Sequence, residues 1–522
     1  MTTPLLASLR QTVRVLTLSL LVLHTVGCAG NSATRASGDP LLDLRNPALS
    51  VVDRSSAASI AWGEVETGVR ERERARATFK DLAWSRQTAP LLRAQLVDHL
   101  MSDQDPVGEA DSIRLAQLML PSETNPRVVA VICHVAASRG WTTLTPALVR
   151  SLAGDSLRVE FNDRPEVFAL TRLYPDTPIE TVVFEVFLDP GEDPTDRQAA
   201  VLRWTERVRS DAWELLSSLD TDRRLRPDLI ASAAQRAQGL SPESAQLVAD
   251  LSDAWQRVRT LPETAMELKW FRSIRHPEHP DSAAPNEKWW GEVAQAIASR
   301  PAVHTDGLRL RHLEPIRWAA RFEPDLINAD RASLLATLDA RLAGRDRNIR
   351  TKELGSASRR KERLRDWAQR LSWADLLSII VTDLAVQSPQ LIASIDQYVV
   401  LDQRDRTTEY GGSFEPIALE DRDFRAVLFR PRQAQRLGDN AFVVSDDLLR
   451  FSDRSLAHFH MHVQHVSNEA YAGPSFADLE YAKRSGRTCV VLTSISKERL
   501  GVDLYQPGGA VIDLGEIRRN SP

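Results

Sequence analysis

A mostly α-helical N-terminal region followed by a compact α/β domain is the fold class this 522-residue sequence predicts. Three features point to it. Between residues 52 and 369 apolar side chains recur three and four positions apart, the spacing of helices with one buried face. Beyond residue 373 they fall into short β-branched runs instead. Aromatic usage changes at the same place: every tryptophan lies between Trp62 and Trp373, whereas Tyr398, Tyr410, Tyr471, Tyr481 and Tyr505 all follow it.

A chain this long exceeds one hydrophobic core, and its 43% hydrophobic and 26% charged residues describe an ordinary globular protein. A formal net charge of -5 argues against a nucleic-acid partner. At the N-terminus Arg10 and Arg14 precede the apolar run 15–23, and Thr25-Val26-Gly27-Cys28 follows. A basic flank, a short apolar stretch and small residues at a cleavage point read as an export signal over residues 1–27. The cysteine directly after the small residue resembles the bacterial lipoprotein signal, in which that cysteine, here Cys28, becomes the lipidated first residue. His24 and Thr25 depart from the apolar residues usual there, and a plain signal peptide or membrane anchor fits the same run. Ala29, where an aspartate would retain the protein at the inner membrane, implies by the same resemblance a cell-envelope location at the outer membrane, facing the periplasm. Residues 28–50 are then a linker, small and polar over 30–44. Cys133 and Cys489 each sit in an apolar run and imply no disulfide framework.

The helical region divides into 51–240 and 241–372. Asn125-Pro126 opens a helix apolar nearly all round over 128–136, and Ser241-Pro242 opens one with Leu247, Val248, Leu251, Trp255 and Val258 on one face. Asp330 begins a third, with Leu334, Leu335, Leu338 and Leu342 on one side and Gly344 past its end. Short helices parted by Pro, Asp and Gly turns resemble a HEAT-type helical-repeat array, a surface that takes a protein partner; no fixed period is present, and an irregular helical domain fits equally. His276-Pro277-Glu278-His279-Pro280 reads as a polar turn, and His312 as an ordinary contact in a helix over 308–321. The charged stretch 359–365 reads as a solvated face beside the boundary at 373.

In the domain 373–522, the run 376–384 reads as a buried strand and Ser388-Pro389 opens a helix with Leu391, Ile392, Ile395 and Val399 on one face. Strands are expected at 424–429, 441–444, 456–462, 488–493 and 510–514, and a helix over 475–484.

Four histidines crowd His458-Phe459-His460-Met461-His462-Val463-Gln464-His465. On a strand, Phe459, Met461 and Val463 enter the core while His458, His460 and His462 share the other face. Imidazoles gathered on one face are costly to bury unpaired, and two at i and i+2 can hold one zinc ion given a third ligand. Asp478, one turn into the helix that Ser475 opens, is that candidate, although Ser-x-x-Asp alone is a common helix start. Thr408-Glu409-Tyr410-Gly411-Gly412 offers a general base, its paired glycines letting another backbone approach closely. His465 is an alternative ligand or substrate contact.

Together these residues resemble the signature of the JAB/MPN (JAMM) zinc metallopeptidases: a glutamate near a glycine pair, then His-x-His, then Ser-x-x-Asp. The resemblance covers residues 373–522 and none of the helical part. It implies that His460, His462 and Asp478 hold Zn2+, that Glu409 shuttles the proton and that Ser475 supports the oxyanion. The implied reaction is hydrolysis of a peptide or isopeptide bond in a protein or peptide substrate. Val463 stands where the family has proline, and the connection 463–474 is longer than usual. Two other readings compete. Barrel-type amidohydrolases also use His-x-His but need more strands than the residues after His462 supply. A non-catalytic scaffold or binding lipoprotein with a degenerate domain suits the helical array but has no need of the full residue set.

Overall fold

The computed structural model describes residues 37–154, 159–194, 198–347, 362–438 and 442–520. The apolar run 15–23, Cys28 and the first residues of the linker lie outside them, as does part of the charged stretch 359–365. The chain forms two compact units, Met1–Leu96 and Val97–Pro522. In the first, within the stretch read as a linker, Asp39 caps a helix at Pro40–Arg45 that buries Leu41 and Leu44. Helices Val51–Glu66 and Arg72–Trp84 follow, and the rings of Trp62 and Phe79 meet in the core with centroids 5.3 Å apart.

Helix Pro90–Ser102 runs from the first unit into the second, and the second holds the later helices and, among the described residues, all six strands. Helix starts fall where capping chemistry puts them. Asn125 caps Pro126–Arg139, Ser241 caps Pro242–Asp253 and Asp330 caps Arg331–Leu342, each through a side-chain oxygen that accepts a backbone N–H. Gly140, at φ 67°, ends the first of these. His312 is fully buried. Its Nδ1 accepts the Arg309 N–H and its Nε2 faces Asp375 Oδ1 at 3.0 Å. Burial pulls its pKa down to about 4, so it stays neutral and donates to the carboxylate.

The run 376–384 is not a strand. It lies within helix Trp373–Val386, which a capping box between Ser372 and Asp375 opens. Nearly every residue of this helix is buried, which removes the polar face that would have shown a period of 3.6. A second helix, Pro389–Asp402, follows, so the domain opens helix–helix–strand. Among the described residues no single helix is long and apolar enough to cross a membrane; these two pass together but are bent by 70°.

The sheet comprises β1 (Gly411–Pro416), β2 (Phe424–Leu428), β3 (Ala457–His462), β4 (Cys489–Ser494), β5 (Arg499–Tyr505) and β6 (Val511–Arg518), in the order β2-β1-β3-β4-β5-β6. Only β3 and β4 run parallel, joined by the crossover that carries helix Phe476–Ser485. The strand expected at 441–444 is absent: Phe442, Val443 and Val444 have no ladder partner, and Ala441 lies outside the described residues. β5 is an unforeseen strand, its Leu500, Val502 and Leu504 alternating with Gly501 and Asp503.

The helical part braces the sheet. Trp270, on helix Ala265–Arg275, donates from Nε1 to the Asp453 carbonyl at 2.6 Å, and the buried Arg487 guanidinium lies 3.6 Å over the Trp270 ring. Trp318 Nε1 and Arg317 Nη1, on helix Leu313–Phe322, donate to the Arg422 and Leu419 carbonyls in the turn between β1 and β2. Cys133 and Cys489 are free and buried.

Candidate metal centre

The candidate residues meet because of strand register. β1 runs antiparallel to β3 with Gly411 opposite His460 and Gly412 opposite Phe459. The ladder continues outward through Met461 N–H to the Tyr410 carbonyl at 3.0 Å, which sets Glu409 beside His462. The glycine pair is required by close approach. A Cβ on Gly411 would lie 2.5 Å from the Phe459 carbonyl oxygen, and one on Gly412 would overlap the backbone of Val427 on β2. The space at Gly411 is taken by the Phe442 ring, which stacks on His460 with centroids 5.3 Å apart and planes 10° from parallel.

Ligand atoms of Glu409, His460 and His462 all lie within 4.8 Å of one another. The two Nε2 atoms are 3.2 Å apart. Two bonds of about 2.0–2.1 Å meeting at a tetrahedral angle place their nitrogens about 3.3 Å apart, so the spacing suits a shared ion. The outer nitrogen of His462 fixes its tautomer. His462 Nδ1 donates to the Tyr471 carbonyl at 2.7 Å, which leaves its Nε2 as a lone pair aimed at His460. His460 Nδ1 faces the Tyr505 hydroxyl at 3.4 Å. His460 is buried while the His462 side is partly open, so the cluster has one closed and one accessible edge.

Asp478 comes from the other side. Its Oδ2 accepts the Ser475 N–H at 2.6 Å and its own N–H donates to Ser475 Oγ at 3.3 Å, a capping box that opens helix Phe476–Ser485. This leaves Oδ1 turned to His460 Nε2, 3.5 Å away. The mutual group is thus closed by Glu409, and Asp478 adjoins it through His460.

The field at the site is negative. Burial alone would lower the pKa of His460, but Asp478, Glu409 and Asp402 outweigh it and raise the value. Burial would raise Asp478, but His460 and the Ser475 hydrogen bonds hold its carboxyl well below the usual range. Carboxylates gathered around a buried imidazole favour positive charge there, which a cation can supply in place of a proton.

His458 does not belong to the cluster. It shares the strand face, but Ser452 Oγ lies 2.8 Å from its Nε2 and the Tyr481 hydroxyl 2.7 Å from its Nδ1. Burial, helped by Arg487, pushes its pKa well below the usual value, so it is a neutral core residue. His465 is exposed and outside the group. Residues 276–279 of the polar turn line a cleft of about 770 Å³ whose walls also carry Arg272, Glu415, Arg425 and Asp453.

Three residues at the site had no motif to announce them. Asp402 ends helix Pro389–Asp402 and its Oδ2 accepts the Tyr410 N–H at 2.7 Å, directly after Glu409. A carboxylate at a helix C-terminus opposes the helix dipole, and that mismatch was a readable sign. Gln464 and Asn468, in the long connection, carry no such mark. No protein-family model matches the chain, and no curated protein or solved structure is significantly similar to it.

Proposed function

We propose that the C-terminal domain is a zinc-dependent peptidase or isopeptidase of JAMM type, carried on a lipid-anchored protein outside the cytoplasm. The observation that carries the reading is the 3.2 Å approach of the His460 and His462 Nε2 atoms beside Glu409, with Asp478 Oδ1 3.5 Å from His460. This donor set of two imidazoles and carboxylates suits zinc. His460, His462 and Asp478 would hold the ion. Bound there, zinc supplies a Lewis acid that polarises the scissile carbonyl and lowers the pKa of water towards neutrality.

The chain's own residues do the rest. Glu409 takes the proton of the attacking water and returns it to the leaving amine. Ser475 Oγ accepts the Asp478 N–H through a lone pair, so its hydroxyl hydrogen remains available to the developing oxyanion. Tyr471, through its carbonyl, keeps the His462 ring in the tautomer that presents Nε2. The partly open side at His462 is where an extended polypeptide enters.

Metal analysis of the purified full chain tests this. The expected result is roughly one zinc per chain, lost in the double variant His460→Ala, His462→Ala and retained in Glu409→Gln, which no longer hydrolyses. A zinc-free wild type that also fails to take up added zinc would overturn the enzyme and leave a lipid-anchored scaffold with a helical binding surface.

A further inference from the structure

The connection 463–474 is longer than that of the family this domain resembles, and its inner residues reach back to Glu409. Gln464 donates from Nε2 to Glu409 Oε1 at 3.0 Å. Its Oε1 accepts from Asn468 Nδ2, also at 3.0 Å. The same Asn468 Nδ2 donates to the His462 carbonyl at 3.2 Å, and the Asn468 backbone N–H donates to the Ser494 carbonyl on β4 at 2.7 Å. Asn468 is 6% exposed, so the anchored end of this chain of bonds is shielded from water, while Gln464 is half-buried.

The direction of the chain follows from its ends. A carboxamide can sit either way round, and its neighbours decide which way. Asn468 presents hydrogens to Gln464, and ionised Glu409 presents only lone pairs. Gln464 must therefore turn its oxygen to Asn468 and its NH2 to Glu409. One Glu409 oxygen is thereby anchored to a rigid strand through two side chains, while the carboxylate stays within 4.8 Å of the His460 and His462 ligand nitrogens. The same segment supplies the Tyr471 carbonyl that orients His462, so one connection holds both a ligand and the carboxylate beside it.

We propose that Gln464 and Asn468 are positioning residues for Glu409: the lengthened connection is a brace that sets the direction of the carboxylate. This rests on the reading of Glu409 as the proton acceptor. Removing the brace should leave the ion in place, because neither residue is a proposed ligand, and should lower turnover by letting Glu409 swing. Outer partners of this kind change activity by roughly 10- to 100-fold when removed.

The test uses the full chain as wild type, Gln464→Met and Asn468→Asp, each stripped of metal and reloaded with zinc. Gln464→Met keeps the side chain's length without its donor. Asn468→Asp accepts from Gln464 and so turns the wrong end of the amide to Glu409. With fluorescein-labelled casein, kcat should fall roughly 10- to 100-fold in both while KM, zinc content and the zinc-induced rise in melting temperature stay at wild-type values. A merely structural role would instead lower the melting temperature or the zinc content. In metal-free protein labelled with 15N-glutamine, the Gln464 side-chain signals are those missing from Gln464→Met, and they should shift on Glu409→Ala. Unshifted signals, or a kcat within twofold of wild type in both variants, overturn the brace. Loaded wild type that cleaves no casein counts against the proposed activity, while the glutamine signals still decide the brace.

Discussion

Replacing Gly411 with alanine tests whether the glycine is there to let the site close. Its Cβ would lie 2.5 Å from both the Phe459 carbonyl oxygen and Phe442 Cζ. Atoms do not approach a Cβ that closely, so each neighbour must retreat by at least about half an ångström, an overpacking of the kind that costs about 1–3 kcal/mol. The Phe442 ring can rotate away, but the Phe459 carbonyl is fixed in the backbone between His458 and His460. The strain therefore falls on β3 and on the ring stacked over His460. Urea unfolding of metal-free and zinc-loaded protein reads both effects. For wild type at a hundredfold excess of zinc over Kd, the ion should add about 2.7 kcal/mol. In Gly411→Ala the metal-free protein should lose about 1–3 kcal/mol, and the increment from zinc should shrink as well. Gly508→Ala is the control. Nothing lies within 4 Å of its Cβ, so only its φ of +89° resists, and the cost should be about 1 kcal/mol with the zinc increment intact. If Gly411→Ala matched wild type in both quantities, the close approach would not be what the site depends on.

Glu267, wholly buried on helix Ala265–Arg275 against Gly486, has its pKa raised from 4.5 to about 7, by burial first and the neighbouring Glu263 second. The unfolded chain ionises first as pH rises, so stability falls between about pH 4.5 and 7 and levels off above, by roughly 3 kcal/mol. Asp453, raised to about 6, contributes in the same direction, so the comparison must be with Glu267→Gln, whose unfolding free energy should fall less across this window. An equal change in unfolding free energy between pH 5 and pH 8 for wild type and Glu267→Gln, read from urea titrations, would count against it. His458→Ala should cost about 2–4 kcal/mol, since it opens a cavity and orphans Ser452 and Tyr481, yet leave zinc content unchanged. Loss of zinc there would return His458 to the cluster.

The fold was legible where one face of an element stays in water. Ser241-Pro242 and Asp330 marked helix starts because their side chains bond to the next turn, a local event that residue type alone decides. The run 376–384 misled because both of its faces are buried, and an apolar run with no polar side carries no period. The Ser372–Asp375 box upstream was the better guide.

Strand alternation was enough to place His458, His460 and His462 on one face, and the glycine pair pointed to Glu409, which the fold brings to His460 and His462. Which of the three histidines joins a cluster was decided in space. His458 is claimed by Ser452 and Tyr481, groups brought to it by other elements, while antiparallel register puts Glu409 next to His462. The bond from Gln464 to Glu409 spans 55 positions of sequence and follows from no local preference. Periodicity and capping are properties of neighbours along the chain, whereas the direction of a buried carboxylate depends on what the fold sets against it.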